Sequence, residues 1–335
     1  MNEKKKLSTK ETFDLALQHL KKNNLQSAEQ LYKQILEIEP NHVESIFYLG
    51  SLSLQTKNFD QAKPLLQKAI KIQPNFARAH NNLGIVFKEL GEFQKGMSYF
   101  QKAIEIQPNF ANAHYNLGIA FNELNEFEKA ISFYEKAIQI SPNYVAAYNN
   151  LGLVFHELNE FEKAINCYEK AIQINPNFEN AYNNLGAVFR ELKEHQKAIS
   201  CYEKAIEIQP NFAEAHTNLG LLLLLLSNFQ KGLDEYEWRK KLPKGFHKSK
   251  NIESLEWQGE DLTNKTILIL SEQGLGDIIH FARYLFNNKK NNFSKTDRDN
   301  KHSRLIESRS HPDLFVIEID KESKKNKIDV NQARE

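Results

Sequence analysis

Two groups of residues in this chain have types and spacing that chemistry can use. The first is a glycine turn, Ser271-Glu272-Gln273-Gly274-Leu275-Gly276-Asp277, set between the apolar run Thr266–Leu270 and the segment Ile278–Leu285. Glycines at a strand-to-helix turn let main chain approach a ligand closely, and an aspartate there favours a helix N-terminus. The turn lacks the Gly-Lys-Ser/Thr of a phosphate loop and the third glycine of a dinucleotide fingerprint. On spacing alone, Gly274, Gly276 and Asp277 fit a tight turn as well as a ligand site. The second group is a column of asparagines, Asn82, Asn116, Asn150, Asn184 and Asn218, each 34 residues after the last. Asparagine is a poor helix former, so propensity does not explain five in register. A carboxamide both donates and accepts. The column therefore either pairs with the main chain of an extended peptide or satisfies itself as a polar ladder between neighbouring helices.

Other reactive side chains read as structural. Cys167 and Cys201 occupy one position in adjacent units, where other units carry Leu31, Leu65, Tyr99 and Phe133. Equivalent positions of stacked helix pairs lie about 10 Å apart, beyond disulfide reach. Neither cysteine has Cys-x-x-Cys spacing, so no metal site is expected. His156 reads as a surface residue and His280 as surface or packing. No cofactor is expected.

The elements that carry the asparagines repeat with the same period. Leu-Gly pairs fall at Leu49-Gly50, Leu83-Gly84, Leu117-Gly118, Leu151-Gly152, Leu185-Gly186 and Leu219-Gly220. Pro40, Pro74, Pro108, Pro142, Pro176 and Pro210 close successive units. In the unit from Ala77, a helix A carries Leu83, Gly84 and Phe87, and a helix B carries Gly96, Phe100 and Ala103. The spacing of three and four is helical, the glycines allow close approach, and Pro108 ends helix B. Units begin at Thr9, Val43, Ala77, Ala111, Val145, Glu179 and Ala213. The first is degenerate, with Ala16 in place of the glycine. The second has Pro64 near the expected start of helix B. The seventh loses the pattern at Glu237-Trp238-Arg239. The period and its matched residues resemble the tetratricopeptide repeat. That resemblance implies an all-α superhelix, an α-solenoid, with helix A lining the concave side and protein or peptide binding as its function.

The expected organisation is an N-terminal tail at 1–8, seven repeats at 9–238, a linker at 239–265, a strand-turn-helix at 266–287 and a polar tail at 288–335. Leu221–Leu226 replaces the polar end of the last helix A, so Leu224 and Leu225 expect a covering neighbour. The asparagine column in units three to seven resembles the ladder of the O-linked N-acetylglucosamine transferase superhelix, with Asp14 and Tyr48 departing in units one and two. The stretch Glu256–Leu285 resembles the junction in bacterial proteins that fuse such repeats to a heptosyltransferase-like glycosyltransferase domain. This implies the opening of an α/β domain, with Asp277 as an acceptor-side polar residue. Leu314–Ile319 is a possible further strand. About 70 residues remain after Thr266, too few for one Rossmann-like half of on the order of 100 residues. Sugar transfer would need a separate sugar-nucleotide-binding subunit, and a truncated, non-functional product is the remaining alternative.

Composition narrows the partners. The 335 residues carry 44 Lys/Arg and 43 Asp/Glu, with 24 against 28 in residues 1–238. That balance does not give the basic field of a nucleic-acid binder. The charged N-terminus is no secretory signal, and six leucines fall short of the roughly 20 apolar residues of a membrane span. A cytoplasmic protein-interaction scaffold is the leading expectation.

Overall fold

The computed structural model describes residues 7–226 and 228–242 and three strands further on. Fourteen α-helices are described, in seven A–B pairs: α1 (Thr9–Lys21) and α2 (Leu25–Ile38), α3 (Val43–Gln55) and α4 (Phe59–Ile72), α5 (Ala77–Glu89) and α6 (Phe93–Ile106), α7 (Ala111–Glu123) and α8 (Phe127–Ile140), α9 (Val145–Glu157) and α10 (Phe161–Ile174), α11 (Glu179–Glu191) and α12 (His195–Ile208), α13 (Ala213–Leu225) and α14 (Phe229–Tyr236). Every helix A starts on the residue that the repeat register marks as first. The chain is an all-α solenoid through these residues.

Proline sets the B-helix ends. The residues before it, Glu39, Gln73, Gln107, Ser141 and Asn175, have φ from −124 to −133° and ψ from 81 to 95°. A proline ring disfavours helical geometry in the preceding residue, so each helix stops there. The A-to-B turn needs a left-handed residue, supplied by Asn23, Lys57, Gly91, Asn125, Asn159 and Lys193 with φ of 56 to 77°. Glycine and asparagine adopt this geometry most readily.

Pro64 departs from expectation. It is the sixth residue of α4, inside the helix rather than at its start. There it removes the N–H that would reach the Asp60 carbonyl. Pro64→Ala is therefore expected to stabilise the second unit by roughly 1–3 kcal/mol, read as a higher midpoint in urea unfolding.

Each A–B pair closes around one interlocking contact. Phe100, Tyr134, Tyr168 and Tyr202 are almost wholly buried. They lie against Gly84, Gly118, Gly152 and Gly186, where an added Cβ would come within 2.6–2.7 Å of the ring. In the second unit Leu66 takes the aromatic position against Gly50. Helix B also packs on helix A of the following unit, as α4 does on α5 and α6 on α7. Successive A helices touch, α3 on α5, α5 on α7, α7 on α9 and α9 on α11, so they form one continuous face.

The chain divides into two compact units, Met1–Ile208 and Gln209–Glu335. In the second, α13 packs on α14 and on a 3-10 turn, Glu237–Lys241. Leu224 packs against the Gly232 position of α14, whereas Leu225 is 59% and Leu226 42% exposed.

The same unit holds β1 (Ile267–Leu270), β2 (Leu314–Ile319) and β3 (Ile328–Gln332). The first two strands fall where the sequence reads them. Their pairing does not match the α/β expectation. Ile267 lies opposite Ile317 and Ile319 opposite Ile328, both antiparallel, in the order β1-β2-β3. Strands in chain order with antiparallel neighbours form a meander, whereas an α/β glycine-turn unit joins parallel strands through a crossover helix. Gly274, Gly276, Asp277, His280 and the segment Ile278–Leu285 lie outside the described residues.

Candidate functional site

The asparagine column occupies the sixth position of helix A, immediately before the Leu-Gly pair. Leucine and glycine turn into the core, so the asparagine stands at the edge of the A-helix face, half-buried in every unit that carries it. Its Nδ2 donates to the preceding unit. Asn82 donates to Ser51 Oγ at 2.9 Å, Asn116 to Asn81 Oδ1 at 2.9 Å, Asn150 to the Tyr115 hydroxyl at 3.0 Å and Asn184 to Asn149 Oδ1 at 3.0 Å. Asn218 holds the same position in α13, half-buried.

These bonds link into relays. Asn116 donates to Asn81, Asn81 to Asn82 at 3.3 Å, Asn82 to Ser51, and Ser51 Oγ to the Phe47 carbonyl at 2.8 Å. A second relay runs from Asn184 to Asn149, then to Asn150 at 3.3 Å, then to Tyr115. Asn81 and Asn149 are buried, at 4% and 6% exposure, so their polar atoms depend on these partners. The column is thus an inter-repeat polar zipper in its own right. It also retains capacity: a carboxamide offers two N–H groups and two acceptor lone pairs, of which Asn116 and Asn184 use one N–H here, and Asn82 and Asn150 one N–H and one lone pair.

Further along the helices, Lys88 and His156 each meet glutamates. Lys88 lies 2.9 Å from Glu89 and 4.0 Å from Glu123 of the next unit. His156 Nε2 lies 3.1 Å from Glu191 Oε1, so His156 links two repeats and is not an idle surface residue. The sequence reading also passed over His80, His114 and His216. Each Nε2 meets the carbonyl of the proline six residues before it, at 2.9–3.0 Å, tying helix A to the turn that precedes it. The recurrence of histidine four residues into helix A was the available signal. His216 also bonds Glu235 through Nδ1 and stacks on Trp238 with centroids 4.0 Å apart.

One pocket of about 270 Å³ opens on the A-helix face of the first four units. Phe47, Tyr48, Arg78, Asn82, Phe110 and Asn112 are among its lining residues. The Arg78 guanidinium lies 4.7 Å from the Phe47 ring centroid and 5.5 Å from that of Tyr48. The pocket lies where Tyr48 interrupts the asparagine column.

Cys167 and Cys201 are free, on the helix B positions expected for packing residues. Burial, and then the charge of Glu135, pushes the Cys167 thiol up to about 12; burial and Glu169 push Cys201 up to about 11. Burial raises the Tyr144 and Tyr202 phenols to about 12 as well. The unfolded chain therefore gives up these protons at lower pH than the folded chain does. Folding stability is expected to hold below about pH 8.5, where an exposed thiol begins to ionise, and to fall steadily from there towards pH 12. Denaturant midpoints measured across that range check this. Stability that is flat to pH 12 would contradict it.

Among the described residues no helix is long and apolar enough to cross a membrane. Comparison with known families gives one consistent answer. Tetratricopeptide-repeat models match residues 19–83, 77–110, 99–132, 145–178, 179–212 and 201–234, and a TPR-repeat model matches 118–159. The chain belongs to the tetratricopeptide-repeat proteins, a scaffold class whose stacked helix pairs present extended binding surfaces. No curated protein matches it. Among solved structures, a crystal structure of MamA is 30% identical, covering 50% of this chain and 97% of that one, with a TM-score of 0.44. Pseudomonas aeruginosa PilF is 24% identical over 61% and 93%, with a TM-score of 0.55. A chain of the APC/C hetero-tetramer Cut9–Hcn1 is 19% identical over 66% and 43%, with a TM-score of 0.59.

These matches correct the likeness to a repeat–glycosyltransferase fusion. Every family match is to a repeat, and β1 joins an antiparallel sheet rather than an α/β opening. The chain groups with repeat scaffolds, and the asparagine column rests on its own geometry.

Proposed function

We propose that this chain holds an extended segment of a partner protein along the A-helix face of its first compact unit, through Asn82, Asn116, Asn150 and Asn184, while Asn218 offers the same side chain in the second unit. The observation that carries this reading is the spare hydrogen-bonding capacity of the Asn82, Asn116, Asn150 and Asn184 carboxamides, repeated once per unit along the contacting helices α5, α7, α9 and α11. Stacked helices lie about 8–10 Å apart and an extended peptide rises about 3.3 Å per residue, so one asparagine meets the peptide main chain about every third residue. Contact with main chain makes the track tolerant of sequence. The contacts of Lys88 and His156 with glutamates leave little of a single-sign clamp beside it. We place the protein in the cytoplasm, a reading supported by the two free thiols.

The test is a length series. Peptides selected on the purified chain from a random display library are shortened stepwise and titrated by calorimetry. Affinity is expected to fall with each loss of about three residues, because each such step abandons one unit. An affinity that is fully kept by six residues would contradict an extended track.

A further inference from the structure

The ladder explains a sequence-tolerant track but leaves the pocket over α1, α3, α5 and α7 without a role. We propose that this pocket reads an acidic side chain beside a large apolar one in the bound segment, with Arg78 as the carboxylate anchor. The proposal rests on the reading of the A-helix face as a peptide track.

Four observations combine. First, Arg78 is the charged residue in a lining that is otherwise aromatic, aliphatic or neutral polar, so the pocket is cationic with no acid in its wall. Second, among the described residues Arg78 forms no ion pair and no hydrogen bond, although Lys88, ten residues along the same helix, is paired with two glutamates. Third, its guanidinium lies over Phe47 and Tyr48, and Phe47 is itself packed by Phe76 with centroids 4.7 Å apart. Stacking holds the planar fork in place and leaves its N–H edge for a carboxylate, which a guanidinium engages through two parallel bonds. Fourth, about 270 Å³ lined in part by Tyr48, Leu52 and Phe110 gives room for an apolar side chain.

The source of the carboxylate follows from the walls. Residues from four successive A-side segments line the pocket, from Leu20 to Asn112, so it is a stretch of a through-groove rather than a closed end. A chain passing through presents side chains there. An Asp or Glu side chain is the occupant, not a chain-terminal carboxylate. Asn82 joins the pocket to the ladder, since its carboxamide lines the one and begins the other. The aromatic and arginine set of units two and three thus supplies the selectivity that the asparagines lack.

Random twelve-residue peptides, displayed through their C-termini, are selected in parallel on the wild-type chain, on Arg78→Gln and on the triple variant Asn116→Ala/Asn150→Ala/Asn184→Ala. The expected wild-type set is enriched in Asp or Glu next to a large apolar residue. Arg78→Gln is expected to lose that enrichment while still selecting peptides. A synthetic wild-type-selected peptide should bind Arg78→Gln about tenfold or more weakly, as should the same peptide with its acid changed to amide. Combining the two changes should cost little beyond either alone. Arg78 is exposed, and an unchanged circular dichroism spectrum confirms the variant's fold. Peptides that depend on the three asparagines but show no acidic preference, or bind Arg78→Gln unchanged, would overturn the pocket's role and leave the track standing. Tight binding that needs a free C-terminal carboxylate would overturn the side-chain assignment. Failure to select any peptide on the wild-type chain would remove the track and the pocket together.

Discussion

Tyr168→Ala is expected to destabilise the fifth unit by about 3–5 kcal/mol, while Tyr168→Phe leaves it unchanged or slightly more stable. The ring is fully buried against Gly152, and truncation opens a cavity in the middle of the array. The hydroxyl finds no partner among the described residues, so its removal costs no bond. The third unit already carries Phe100 at this position. The expected response extends beyond a lower midpoint. Each unit touches only its neighbours, so one weak unit in mid-array uncouples the units on either side. Far-ultraviolet circular dichroism follows all of them. In a Trp257→Phe background, fluorescence follows Trp238 at the seventh unit. The two curves should separate in Tyr168→Ala. Coincident curves, or a Tyr168→Phe as damaging as Tyr168→Ala, would contradict this packing account. Gly152→Val should act in the same direction, because its side chain would enter space the ring occupies.

The second large effect concerns the ladder. Asn116→Ala/Asn150→Ala/Asn184→Ala removes three inter-repeat bonds and, on the proposed reading, three contacts to the bound segment. Peptide affinity is expected to fall about a hundredfold, at roughly 1 kcal/mol per lost contact. Stability should also fall, by about 1–3 kcal/mol for each buried partner left unpaired. The two losses must be separated. Asn81→Ala/Asn149→Ala breaks two of the same inter-repeat bonds from the buried side and frees the Oδ1 of Asn82 and Asn150, while all the half-buried carboxamides stay in place. This control should lose stability and keep most of its affinity, measured well below its unfolding midpoint. Equal affinity losses in the two variants would make the column purely structural.

Much of the fold was legible because it is written in strong local signals. Leu-Gly pairs fix helix A to the residue, and prolines fix the end of helix B through the residue before them. The alternation of glycine in helix A with tyrosine or phenylalanine in helix B announces the core contact. What escaped depends on neighbours rather than on periodicity. Asn116 pairs with Asn81, a residue 35 positions earlier, so the relay exists only once adjacent A helices are in contact. His156 looked isolated because its partner, Glu191, lies in the next unit. Pro64 was misplaced because helix B begins at Phe59, fixed by the turn at Lys57 and Asn58 rather than by proline. The aromatic pocket beside Arg78 was hidden because it arises where the repeat varies, and a reading built on recurrence discounts variation. Past Leu242 the local pattern gave two strands but not their pairing, since β1 and β2 meet across more than forty residues of chain.

The central claim is that an extended peptide runs along the asparagine column. Side-chain amide resonances of asparagine in a nitrogen-15-labelled chain report on it directly. On addition of a display-selected twelve-residue peptide, the Nδ2 signals of Asn82, Asn116, Asn150 and Asn184 are expected to shift together, while helix B signals such as that of Asn166 stay in place. Binding that leaves all four ladder signals unmoved, or that shifts helix B alone, would contradict the account.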